Sequence, residues 1–76
     1  MKELIEHMAK SLVANPDAAR VTERENEAGE VELLLQVAPE DMGKVIGKQG
    51  RIAKAMRVVL KAAAARENKK ANLEIE

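Results

Sequence analysis

The sequence predicts an α+β fold, a three-stranded mixed sheet with three helices packed on one face. Three observations carry that expectation. Apolar residues recur at helical spacing over residues 2–14 and again over 51–66. Between them, Asn26-Glu27-Ala28-Gly29 reads as a turn joining two stretches of strand character, a natural antiparallel hairpin. A last β-type stretch, Ala71 to Ile75, returns to the hairpin through helices, which implies parallel pairing with a right-handed crossover. The 76 residues make one small domain, 1–76, with a limited core, for which help from a partner or ligand would be no surprise.

Taken in order, Leu4, Ile5, Met8, Ala9, Leu12 and Val13 give the first helix one apolar face, and Asn15-Pro16-Asp17 stops it. Ala18 to Glu25 is weakly strand-like, with Val21 and Thr22 its best formers. Glu30 to Ala38 alternates clearly, Val31, Leu33, Leu35 and Val37 against Glu32, Leu34 and Gln36. Leu34 breaks the pattern, either as the edge of a second small cluster or as a partner contact. Pro39-Glu40-Asp41 opens a short helix to about residue 46, proline suiting the first turn and two acids the N-terminus. In the long helix 51–66, Ile52, Ala53, Met56, Val59, Leu60 and Ala63 share one side, and Arg51, Lys54, Arg57 and Lys61 share the other. Residues 66–70 form a loop, and Leu73 and Ile75 point inward from the final strand.

Composition excludes several functions. There is no cysteine, so disulfides, zinc–thiolate sites and thiol chemistry are out. There is no Phe, Tyr or Trp, so the core is aliphatic and methionine-rich, and base stacking on aromatic rings is excluded. Nothing resembles a membrane span, and the first fourteen residues, with Glu3 and Glu6, do not read as a signal peptide, so a soluble, cytoplasmic protein is expected. His7 is the only histidine and Ser11 and Thr22 the only hydroxyl residues, none beside a recognisable base and orienting acid. No metal-ligand spacing occurs. No enzyme, cofactor, metal or small-molecule substrate is expected.

The formal net charge of zero conceals an asymmetry. Residues 1–41 carry four Lys/Arg and ten Asp/Glu, whereas residues 42–72 carry nine Lys/Arg and one acid, Glu67. A charge distribution of this kind gives the molecule a basic side suited to an anion.

That basic block contains Val45-Ile46-Gly47-Lys48-Gln49-Gly50-Arg51. Two glycines bracketing two polar residues between helices let a ligand approach the backbone, and the amides of a helix start favour a phosphate. A P-loop is excluded by the glycine spacing and by Gln49 after Lys48. Gly43-x-x-x-Gly47 has helix-packing spacing but lies in no apolar segment of membrane length.

With the flanking Val45-Ile46, the basic helix and the strand order, this sequence resembles a K homology (KH) domain of type II. The stretch Ala38 to Ala55, the Asn15-Pro16-Asp17 break and the hairpin start Arg20-Val21-Thr22-Glu23 resemble, more narrowly, the KhpA family of small bacterial single-KH proteins. The likeness covers essentially the whole chain. One departure from the broad pattern is Ala53, where many KH domains carry a large aliphatic, with Ile52 preceding it.

The resemblance implies an α-β-β-α-α-β fold and a non-catalytic protein clamping about four nucleotides of single-stranded RNA at Gly47–Gly50. The RNA-binding residues it implies are Lys44, Ile46, Gly47, Lys48, Gln49, Gly50, Arg51, Ile52 and Lys54. Gly47 and Gly50 would admit the sugar–phosphate chain, Lys48 and Gln49 would contact it, Arg51 and Lys54 would extend the positive track, and Ile46 and Ile52 would floor the groove or simply belong to the core. Arg57, Lys61 and Arg66 read first as a solvated helix face. The family also implies a homodimer, a heterodimer with a larger KhpB-like (Jag/EloR) protein, RNA chaperoning, and a role in cell elongation and division. The other reading is an interaction (dimerisation) module whose RNA binding is secondary, and RNA is not distinguished from single-stranded DNA at this level.

Overall fold

The computed structural model describes all residues, 1–76. Helix α1 spans Lys2–Leu12, strands β1 and β2 span Arg20–Glu25 and Val31–Gln36, helix α2 spans Met42–Ile46, helix α3 spans Arg51–Arg66, and strand β3 spans Ala71–Ile75. The sheet order is β1-β2-β3. β1 and β2 pair antiparallel, with Val21 opposite Leu35. β2 and β3 pair parallel, with Leu33 opposite Leu73. The expected mixed sheet and three helices are therefore present.

Alternation along the strands decides which face is covered. Val31, Leu33, Leu35, Val21, Ala71 and Leu73 are buried under the helices, while Thr22, Glu32 and Glu74 on the opposite face are exposed. Leu34 sits half-buried on that open face, in a shallow depression with Thr22, Arg24 and Asn72. Ile5 and Ala9 of α1, Val45 of α2, and Met56, Leu60 and Ala64 of α3 complete the core.

Element boundaries differ from the periodicity reading in ways the chain explains. Pro16–Ala18 form a 3-10 turn, proline supplying its first residue, so β1 begins at Arg20. Pro39–Asp41 form a second 3-10 turn before α2. Along α3, Ala53, Met56 and Leu60 are buried as the periodicity predicts and Ile52 and Ala63 are half-buried, whereas Val59 is exposed and Ala64 joins the core in its place. Leu4 and Leu12 of α1 are exposed, while Ile5 and Ala9 are buried and Met8 and Val13 pack partly buried against the core.

Asp41 corrects the sequence reading most. It does not decorate a helix start; its side chain is fully buried. Its carboxylate accepts the amides of Ala14 and Asn15, both at 3.0 Å, and lies 3.4 Å from Lys44 Nζ. One side chain thereby ties the link between α1 and β1 to the start of α2. The Ala14 amide, helped by that of Asn15 and by Lys44, holds its pKa below the ordinary carboxylate range against the opposing effect of burial. A depressed folded-state pKa adds stability that is complete above the unfolded-state value and is lost as pH falls through the folded one. Thermal melts from pH 7 to pH 3 should hold steady above about pH 5 and drop below about pH 4. Asp41→Asn should melt several degrees lower at pH 7 and show a shallower acid drop, because one amide loses its acceptor.

Candidate nucleic-acid interface

The turn from α2 into α3 is built by backbone geometry before any side chain matters. Gly47 closes α2, its amide donating to the Gly43 carbonyl at 2.9 Å, and adopts φ 76°, ψ 173°. That region is essentially restricted to glycine. Gln49 (φ 57°) and Gly50 (φ 73°) follow in the left-handed region, and the Gly50 amide donates to the Gly47 carbonyl at 3.1 Å. The amides of Lys48 and Gln49, between the two glycines, are absent from the turn and cap hydrogen bonds, and the break at Gly47 takes both out of the α2 ladder. Two consecutive unpaired N–H groups in an exposed turn are suited to the oxygens of an anion.

The two glycines differ. A Cβ on Gly47 would lie 2.6 Å from Ile52 Cγ1, whereas one on Gly50 would meet nothing within 4 Å. The close approach at Gly47 is thus internal, to Ile52 packed beneath the turn, and Gly50 presents the open side.

Around this turn Lys48, Gln49, Arg51 and Lys54 are exposed, and no acid pairs with Lys48, Arg51 or Lys54. Lys44 is less free, since its ammonium faces Asp41. Ile46 is 36% exposed and Ile52 half-buried, so both reach the surface beside the turn, and Ile52 also packs on the core. The nine residues singled out from the sequence are therefore contiguous over α2, the turn and the first turn of α3. Neither surface depression reaches the turn.

Two features escaped sequence reasoning. Arg57 is half-buried, and its Nε donates to the Leu73 carbonyl at 3.3 Å, tying α3 to β3; no sequence signal marks a contact between residues this far apart in the chain. The second feature is an outward apolar stripe on α3. Val58 is 68% exposed and Val59 38%, with Ala55 and Ala62 exposed beside them, on the side opposite the core. Its i, i+3, i+4, i+7 spacing was visible, but a helix carrying two apolar stripes and a basic one shows no single period.

A Gly-x-x-Gly turn between two helices, set on a sheet of α-β-β-α-α-β order, defines a type II KH domain. The chain belongs to the KhpA/KhpB KH-domain family, which matches residues 2–75. It is 61% identical to a protein named RNA-binding protein KhpA from Clostridium acetobutylicum, over 99% of both chains. Identity is also 61% to RNA-binding protein KhpA from Clostridium perfringens and 55% to that from Caldanaerobacter subterraneus subsp. tengcongensis, again over 99% of each chain. No solved structure matches. No helix is long and apolar enough to cross a membrane.

Proposed function

We propose that this protein binds single-stranded RNA without catalysis, gripping the sugar–phosphate backbone at Gly47-Lys48-Gln49-Gly50. The observation that carries the reading is the pair of unpaired amides at Lys48 and Gln49, ringed by the free cations of Lys48, Arg51 and Lys54. Ile46 and Ile52 supply apolar contact for bases or sugars. The names of the similar KhpA proteins point to the same ligand. With no aromatic platform, binding depends on the backbone and is tolerant of sequence, as suits a cytoplasmic RNA chaperone or regulator. Fluorescence-anisotropy titration of a short single-stranded RNA tests this. With about four phosphates engaged, affinity should fall about fifty-fold between about 50 and 200 mM salt. A salt-independent affinity, or none from the folded protein, would sink the reading, and single-stranded DNA of the same sequence reports any use of the 2′-hydroxyl.

The outward stripe of α3 supports a second part of the reading. Val58, Val59, Ala55 and Ala62 fit a two-fold contact between copies of this helix, and a homodimer through α3 follows. A KhpB-like (Jag/EloR) protein, whose KH domain falls in the same family, would replace the second copy on this stripe. A part in cell elongation and division would follow from that pairing. Val58→Asp should yield a folded monomer by sedimentation, with the clamp intact. A dimer persisting in Val58→Asp would move the interface elsewhere.

A further inference from the structure

We propose that Lys61, Lys69 and Lys70 form a second phosphate-binding patch, which engages a longer single-stranded RNA beyond the segment held at Gly47–Gly50. The proposal rests on the clamp reading above and extends it. The three lysines surround one depression with Glu30, Ala71 and Asn72, at the end of the sheet where β2 and β3 begin.

Local structure gathers them. At the end of α3, the Lys69 amide donates to the Ala64 carbonyl (2.9 Å) and the Asn68 amide to the Ala65 carbonyl (3.1 Å). With Asn68 at φ 56°, this is a Schellman-type stop. It reverses the chain after Arg66 and brings Lys69 and Lys70 alongside Lys61, two residues that lie eight and nine positions further along the chain.

The charge in this patch is unspent. None of the three lysines lies within ion-pair distance of a carboxylate. The one acid of the depression, Glu30, is half-buried and accepts Asn26 Nδ2 at 3.0 Å, which holds it to the hairpin turn. Three exposed, unpaired ammonium groups around one hollow repel each other and are relieved by a polyanion.

Placement then identifies the polyanion's course. Lys54 and Lys61 lie two turns apart on one side of α3, so the positive track leaving the clamp leads toward the patch. From Arg51 to Lys61 the helix rises about 15 Å. A stacked strand covers that span with about four to five nucleotides, at about 3.4 Å each, and a few more cross the patch. An RNA of about 4 nucleotides fills the clamp alone, and one of about 12 reaches both.

Lysines beside the edge strand β3 could instead serve only to discourage strand pairing between molecules. Glutamate serves that purpose as well and repels RNA, so charge reversal separates the two roles. Wild type, Lys61→Glu/Lys69→Glu/Lys70→Glu and the corresponding triple Gln variant would be titrated with RNAs of about 4 and about 12 nucleotides across a salt series. The proposal expects wild type to bind the longer RNA more tightly. It expects the triple Glu variant to lose at least about ten-fold on the longer RNA and less than about two-fold on the shorter. The triple Gln variant should lower the salt slope on the longer RNA by about 2, the value for three released contacts to a single strand. Equal losses on both lengths, or no loss on the longer one, overturn the patch. Loss on both lengths in Lys48→Asp/Gln49→Asp, with the triple Glu variant unaffected, overturns the patch and leaves the clamp standing. Binding of the longer RNA that survives the double Asp change but not the triple one overturns the clamp instead. The three lysines are exposed and make no side-chain hydrogen bond, so unchanged melting of the variants is expected.

Discussion

Lys48→Asp with Gln49→Asp should abolish RNA binding and leave the fold untouched. Both side chains are exposed, and neither makes a hydrogen bond or ion pair. Gln49 sits at φ 57°, a left-handed conformation that aspartate tolerates better than most residues. The backbone of the turn therefore has no reason to move. The electrostatic change is large. One cation and one neutral group become two anions, a swing of three charge units beside the two unpaired amides. At about 5 Å and the dielectric of water, each unit costs about 0.8 kcal/mol against a phosphate, about 2.5 kcal/mol in all. That is between about fifty- and a hundred-fold in affinity, and more if the site excludes water. The check is the anisotropy titration at low salt, paired with a thermal melt and sedimentation of the same variant. Lost binding with unchanged melting and unchanged oligomeric state places RNA on the turn. If the double change instead disrupts assembly, and RNA was never bound, the domain is an interaction module first.

Much of this was legible in the sequence because the signals were local. The alternation of Val31, Leu33 and Leu35 settles which face of β2 is buried, and Asn26 to Gly29 settles the hairpin. Parallel pairing of β2 with β3 followed from the helices between them. The residues chosen around the Gly-x-x-Gly are adjacent in space because they are nearly adjacent in sequence. What stayed hidden depends on long-range contacts. Asp41 has the sequence context of a helix start, and only the amides of Ala14 and Asn15, 27 and 26 residues away, make it a buried fastener. Arg57 looked like any solvated helix residue until Leu73 arrived beneath it. The patch of Lys61, Lys69 and Lys70 is assembled by a chain reversal whose left-handed residue is Asn68, not the glycine that would have announced it.

Gly47→Ala should be the most damaging single substitution in the turn, and far worse than Gly50→Ala. Both glycines have positive φ, but the two sites have different surroundings. At Gly47 the conformation (φ 76°, ψ 173°) is one that side-chain-bearing residues essentially avoid, and the new methyl would meet Ile52 Cγ1 at 2.6 Å and Cβ at 2.9 Å. Backbone strain of about 1–3 kcal/mol adds to overpacking of about 1–3 kcal/mol. A domain of this length holds only about 4–11 kcal/mol in total. Melting should fall by more than about 10 °C, and RNA binding should go with it. At Gly50 the conformation is ordinary left-handed helix (φ 73°, ψ 16°) and the methyl enters open space. The cost there is about 1–2 kcal/mol, so the protein stays folded while its open side loses room for a ligand. A double-mutant cycle isolates the steric part. Ile52→Ala removes Cγ1 and Cδ1, at 2.6 and 2.9 Å, and leaves Cβ at 2.9 Å, so Gly47→Ala should cost less in that background than in wild type. Equal costs in the two backgrounds would mean that backbone strain and the Ile52 Cβ contact, not the outer atoms of Ile52, make Gly47 a glycine. Equal melting of Gly47→Ala and Gly50→Ala would remove the distinction between an inward-packed glycine and an outward-facing one, on which the orientation of the clamp depends.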